Sequence, residues 1–348
     1  MKKIFTGTFY PLAMGETLSG YDHYNYKLPL VDYFDIKTFC YNVEGKYSKI
    51  EYRIENDKRI QIIRFNESMD DMLHINQLFK LWKPDICNFH GGNSGQKGTA
   101  RRIINDYKGQ GIKFGLEYGG GYDKNTMMQH YYNEDADYVI LNHELWRTFF
   151  PDDYQKKIYI TPKQQSVNSD FFKPLDVEKK YDLLFVGRNE NKGAEEIYEM
   201  FKDKSDIRVL FKGNGYPDHW KSDHIFIEPA EYNHKKMVEV YNSAKVFVMG
   251  RPSVMENPFA LHMRVIVEAI SCGLPVVAFR DNFDGSNLLY HRKNALLVNT
   301  PEEFVGNVRS LLGDSFFYRD YSDESREVAI DCDISKFMQF YKDLWNNI

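Results

Sequence analysis

Along almost the whole chain, short apolar runs alternate with segments of helical period, and this alternation confines the fold to βα units built on parallel sheets. In the first half the spacing predicts strands at 3–6, 35–39, 85–89, 112–117, 137–141 and 157–161, with helices at 70–82, 97–108 and 143–149. In the second half it predicts strands at 182–186, 207–211, 225–227, 245–249, 274–279 and 295–298, with helices at 193–203, 234–244, 263–272 and 302–312. Residues 47–54 and 59–64 alternate apolar and polar side chains around Asn56-Asp57, the pattern of a hairpin inserted into the first half. The last segment, DISKFMQFYKDLWNNI, has the period of an amphipathic helix.

A chain of 348 residues exceeds what one hydrophobic core usually serves, so two domains are expected. Their junction is QQSVNSDFFKPLDVEKKYD at 164–182, which is polar, contains Pro174 and separates two apolar strands. The expected division is 1–165, 166–330 and a closing helix at 331–348. Two doubly wound lobes joined in this way face each other across a cleft, with ligands bound at the carboxyl ends of the parallel strands. The net charge of −5 gives no global attraction to nucleic acid or anionic lipid. Cysteines at 40, 87, 272 and 332 show neither CxxC nor metal spacing and suit a reducing compartment. No run approaches the roughly 20 apolar residues of a membrane span, so a cytoplasmic protein is expected.

The chemistry begins after strand 182–186. Gly187-Arg188 and then Lys192-Gly193, opening a helix, bring a guanidinium, an ammonium and a helix N-terminus to one strand end. This suits an anion, although Arg and Lys in a loop are equally at home as solvated surface charges. Helix 263–272 carries Glu268 a few turns past the loop MGRPSVMENPFA, whose backbone amides face phosphates at the helix start. A carboxylate suits a vicinal diol, because it accepts two hydrogen bonds in a fork. The neighbours Val265, Ile266, Val267, Ala269 and Ile270 are apolar nearly all round, so a carboxylate among them needs a partner.

An ordered series of motifs joins these elements: QSVNSDFFKP ending at Pro174, FVGR and NKG in 185–193, LFKGNG at 210–215, VEVYNSAKVFVM at 238–249, VEAISCGLPVVA at 267–278 and NALLV at 294–298. With this series the second half resembles the nucleotide-binding domain of the GT-B glycosyltransferases, the retaining family 4 in particular. The first half is similar through the order of its strands, PDICNFHG at 84–91 and DADYVI at 135–140. The resemblance implies an α/β fold of two Rossmann-like domains, with the C-terminal helix crossing back onto the first. It implies transfer of a sugar from a nucleotide-sugar, UDP- or GDP-linked, with retention and without a metal. Retention proceeds by front-face attack, in which the leaving phosphate helps deprotonate the acceptor, so no enzymic nucleophile is required. By the same resemblance Arg188 and Lys192 neutralise the diphosphate and Glu268 holds the ribose. Gly187, Gly213 and Arg264 complete the donor site, with Gly20 from the loop after the first strand.

Two positions depart from the family pattern, and the spacing from Arg188 to Lys192 is one residue short of it. The glutamate expected eight residues before 268 is Ala260, and Glu256 stands four residues further upstream: either a longer loop lets it serve or that contact is lost. The family histidine near the transferred sugar is replaced by GLEYGGGY at 115–122, with Tyr118 in its place and His90 or Glu117 as substitutes for its hydrogen bonds. Asp135-x-Asp137 and Asp331-x-Asp333 have the form of a DxD metal motif but stand at a strand start and in a terminal loop. The acceptor expected from the resemblance is a glycan or lipid-linked saccharide, which places the protein in the cytoplasm or at the inner face of the membrane. An alternative is duplex DNA: ENPFALHMRV also resembles the phage hydroxymethylcytosine glucosyltransferases, and Lys97, Arg101, Arg102, Lys108 and Lys113 would supply phosphate contacts, in a host cytoplasm. A catalytically silent nucleotide-sugar or glycan binder is the remaining alternative.

Overall fold

The computed structural model describes residues 1–8, 28–41, 50–55, 58–65, 69–91, 102–118, 136–163, 165–187, 193–231, 233–251, 264–283 and 286–348. They form two compact units, one from Met1–Gly119, Lys124–Pro162 and Ile334–Ile348, the other centred on Lys163–Asp333.

In the first unit the apolar runs become strands β1 (Lys3–Thr8), β2 (Asp35–Tyr41), β3 (Ile50–Glu55), β4 (Lys58–Phe65), β5 (Ile86–Gly91), β6 (Lys113–Tyr118), β7 (Tyr138–Leu141) and β8 (Ile158–Ile160), with helix α1 (Met69–Trp82) between β4 and β5. They make one eight-stranded sheet in the order β3-β4-β2-β1-β5-β6-β7-β8. The β3–β4 pair is antiparallel, with Glu55 opposite Lys58, as the alternation around Asn56-Asp57 predicts. Those two turn residues lie outside the described residues. The hairpin is not a separate insertion, however: β4 pairs in parallel with β2, from Lys37 opposite Gln61 to Tyr41 opposite Phe65, and so extends the main sheet. Residues 102–107 are helical within the predicted 97–108, and the predicted helix at 143–149 is a 3-10 helix, Glu144–Phe149. The His143 ring Nδ1 accepts from the Leu145 amide and starts that tighter turn.

The second unit follows the βα alternation closely. Its elements are β9 (Tyr181–Val186), α2 (Ala194–Phe201), β10 (Val209–Lys212), β11 (Ile225–Glu228), α3 (His234–Asn242), β12 (Ala244–Met249), α4 (Arg264–Ser271), β13 (Val276–Phe279), β14 (Ala295–Val298), α5 (Pro301–Gly313) and α6 (Ser315–Ile330). The six strands are parallel in the order β11-β10-β9-β12-β13-β14. Strands β10, β13 and β14 are buried throughout, because helices cover both faces of a parallel sheet. The pleat divides the core: Leu184, Phe247 and Met249 join α3 and α4 on one face, while Leu183, Phe185, Val246 and Val248 join α2 and α5 on the other. Helix α5 starts on a capping box, with the Thr300 hydroxyl accepting from the Glu303 amide and the Glu303 carboxylate from the Asn299 amide. Helix α6, begun by Asp314 accepting from the amides of Phe316 and Phe317, was not anticipated from the sequence.

The last helix, α7 (Ile334–Asn347), belongs with the first unit. Its Phe337, Tyr341, Leu344 and Trp345 share a core with Ile4, Phe34, Ile36, Ile86 and Ile140. The Lys2 ammonium donates to the carbonyls of Trp345 and Ile348 at the helix end, where a cation opposes the helix dipole. No helix among the described residues is long and apolar enough to cross a membrane.

Candidate functional site

The strand order of the second unit reverses between β9 and β12, and a crevice outside the carboxyl ends of these two strands is where doubly wound sheets bind ligands. Glycines let the chain close in around this point. Gly187 ends β9, donates to the Lys212 carbonyl at 3.0 Å and accepts on its own carbonyl from the Tyr216 hydroxyl at 2.5 Å. A Cβ on Gly213, after β10, would strike that same Gly187 carbonyl. Gly193 enters α2 in the left-handed region (φ 71°, ψ 34°), and a Cβ there would strike the backbone of Gly250 and Arg251. The loop roots after β9, β10 and β12 therefore meet backbone to backbone, which only glycine permits at these positions.

Arg251, which no motif in the sequence marks, holds these roots together. Its backbone amide and its Nη1 donate to the two oxygens of Glu196, at 2.6 and 2.7 Å. Its Nη2 donates to the Asn299 carbonyl at 2.6 Å, and its guanidinium carbon lies 3.6 Å from the centre of the Phe279 ring. Every partner is distant in sequence, so no local pattern marks the residue.

Glu268, on α4, is 3% exposed. The partner its apolar surroundings demand is present twice over. Arg264, one turn earlier, donates from Nε to Oε1 at 2.8 Å, and the Tyr241 hydroxyl of α3 donates to Oε2 at 2.7 Å. Burial, reinforced by the adjacent Glu268 charge, pushes the Tyr241 hydroxyl well above its ordinary range, so it remains a donor. His234, at the start of α3, is pushed down to about 3 by burial and by the Arg264 guanidinium, and is therefore neutral. Gly187 and Gly213 directly follow the neighbouring strands β9 and β10, and Arg264 and Glu268 lie on α4. Arg188, Lys192, Glu256 and Ala260, and Gly20 in the first unit, lie outside the described residues.

In the first unit His90 and Tyr118 stand near the carboxyl ends of adjacent strands, with His90 opposite Glu117 and Gly91 opposite Tyr118. Tyr118 is 1% exposed and packs edge-on against Phe150 at 5.6 Å. Glu117 accepts from the Asn88 side-chain amide at 2.8 Å and from the Tyr341 hydroxyl of α7 at 2.6 Å, and Tyr138 donates to Asn88 at 3.0 Å. The Asp137 carboxylate accepts from the Phe114 amide and from Lys113, and Asp333 accepts from Ser169. Among the described residues no group of three or more His, Cys, Asp or Glu is placed to hold a metal ion.

Residues 180–314, from the approach to β9 through α5, match the family model described as Glycosyl transferases group 1. The whole chain superimposes on a sucrose-phosphate synthase from Thermosynechococcus elongatus, with a TM-score of 0.73, 12% identity and all of both chains covered. The fold is GT-B. A glycosyltransferase from Rickettsia africae shares this GT-B architecture with a TM-score of 0.74 and 13% identity over 99% of this chain and 98% of that one. So does Anabaena HepE, solved in complex with UDP, at 0.70 and 11% identity over the whole of both chains. A curated relative from Haemophilus influenzae, described as an uncharacterized glycosyltransferase, is 34% identical over 80 residues. That match spans 22% of this chain and 23% of the relative's length.

Proposed function

We propose that the chain is a glycosyltransferase that takes a sugar from a UDP- or GDP-linked donor, and that the donor nucleotide occupies the switch point of the second unit. The observation that carries this reading is the coincidence of two independent features. The group 1 match at 180–314 falls on the unit whose strand order reverses at β9 and β12, where three loop roots close together on glycine. The UDP bound by the structurally similar HepE supports a uridine donor.

In the proposed site Arg188 and Lys192 neutralise the diphosphate. Negative charge builds on the departing phosphate as the glycosidic bond breaks, and preorganised cations there are worth roughly 3 kcal/mol each. Glu268 holds the ribose diol: among the described residues each carboxylate oxygen accepts from one side chain, and a carboxylate oxygen can accept a second hydrogen bond. Arg264 and Tyr241 fix the orientation of that carboxylate. Glu256 takes the role of the glutamate absent at Ala260. Transfer with retention and without a metal, to a glycan or lipid-linked saccharide in the manner of family 4, follows from the resemblance of the motif series. Calorimetry with UDP and GDP tests the donor reading. Micromolar binding of one of them, lost in Lys192→Ala and Arg188→Ala, is expected, and no binding of either by the wild type contradicts it.

A further inference from the structure

Arg251 stands two residues after β12, and Glu196 lies in the first turn of α2, so their ion pair joins the start of α2 to the chain leaving β12. Both Glu196 oxygens are occupied by this one residue, through its amide and its Nη1. The rest of the guanidinium is held by the Asn299 carbonyl and the Phe279 ring, with Asp281 at 3.5 Å from Nε. A surface ion pair needs none of this immobilisation. A carboxylate in the first turn of a helix favours the helix dipole, but it opposes any other anion that approaches the same turn. An unpaired Glu196 would repel a diphosphate bound at the switch point.

We infer that Arg251 is a positioning residue for the donor diphosphate: it cancels the Glu196 charge beside the site. This rests on the switch point being the donor site. Two observables separate the electrostatic part from plain structural support. Cancelling a nearby charge affects a diphosphate and not an uncharged nucleoside, and it fades with salt.

The test is calorimetry of UDP and uridine, or of GDP and guanosine if the guanine nucleotide is the one bound, with wild type, Arg251→Met, Glu196→Gln and the double variant. Arg251→Met is expected to weaken diphosphate binding about tenfold at low salt, with a smaller loss at high salt and no change for the nucleoside. Glu196→Gln should bind the diphosphate at least as tightly as wild type, and the double variant should recover most of the loss. Equal losses for nucleotide and nucleoside, no recovery in the double variant, or a tenfold loss in Glu196→Gln alone would overturn the inference and leave the donor reading standing. If the wild type binds neither nucleotide, the donor reading falls and the inference with it.

Discussion

Glu268 is both a proposed ligand for ribose and one half of a buried ion pair, and the two roles separate on substitution. Glu268→Ala removes the carboxylate beside a guanidinium that is only 10% exposed, at a cost of about 3 kcal/mol read in urea unfolding. Glu268→Gln keeps a carbonyl to accept from Arg264, with its amide donating to the Tyr241 hydroxyl, and should unfold closer to wild type, yet lose nucleotide affinity to a similar extent. Unchanged affinity in the Gln variant removes the ribose assignment. His234 supplies a pH signature. It stays neutral when folded down to about pH 3 but takes a proton near 6.5 when unfolded. The unfolded state therefore binds more protons as pH falls through this window, and stability drops by at most about 1.4 kcal/mol per pH unit. Above 6.5 the stabilisation is fully present. His234→Asn should flatten that acid limb in denaturation curves taken at several pH values. At this scale the sequence showed that Glu268 needs a partner, since its helical neighbours are apolar. Arg264, four residues back, was within reach of helical spacing, whereas Tyr241, on another helix, was not.

Helices and strands were legible where their periods were strong. The six strands of the second unit lie close to the predicted ranges, because each is a compact apolar run in a parallel sheet. Helix α6 was missed because SFFYRDYSDESREVAI mixes aromatics with charges and buries little more than Tyr321, Ser325, Val328 and Ala329. Those four positions do follow a helical period, so the signal existed, weakened by a serine in the core stripe. The hairpin was visible as local alternation, but its place in the sheet depends on pairing between β4 and β2, which no local pattern encodes. Helix α7 carries the prediction at this scale. Its Tyr341 hydroxyl reaches Glu117 on β6 inside a buried network, so Tyr341→Phe should cost about 1–3 kcal/mol in unfolding free energy. A loss below a few tenths of a kcal/mol would mean that α7 docks through its apolar face alone.

At the scale of the whole molecule, GT-B architecture accounts for the double alternation of strands and helices and for a terminal helix that returns to the first unit. It leaves the chemistry to the site, since a shared fold does not fix an activity. Under the proposed function the departures at Ala260 and Tyr118 concern the sugar, and the glycine-lined switch point concerns the nucleotide. Donor binding and sugar choice therefore separate in experiments. A transferase without metal keeps its activity in EDTA, and complete loss with chelator would contradict that part of the proposal. The central claim is tested most directly by incubating the full chain with UDP-, GDP-, ADP- and CMP-sugars without acceptor and measuring free sugar and free nucleotide. Slow hydrolysis of one uridine or guanosine donor, abolished in Lys192→Ala, is the expected result. No hydrolysis of any donor, with no nucleotide bound, would contradict it.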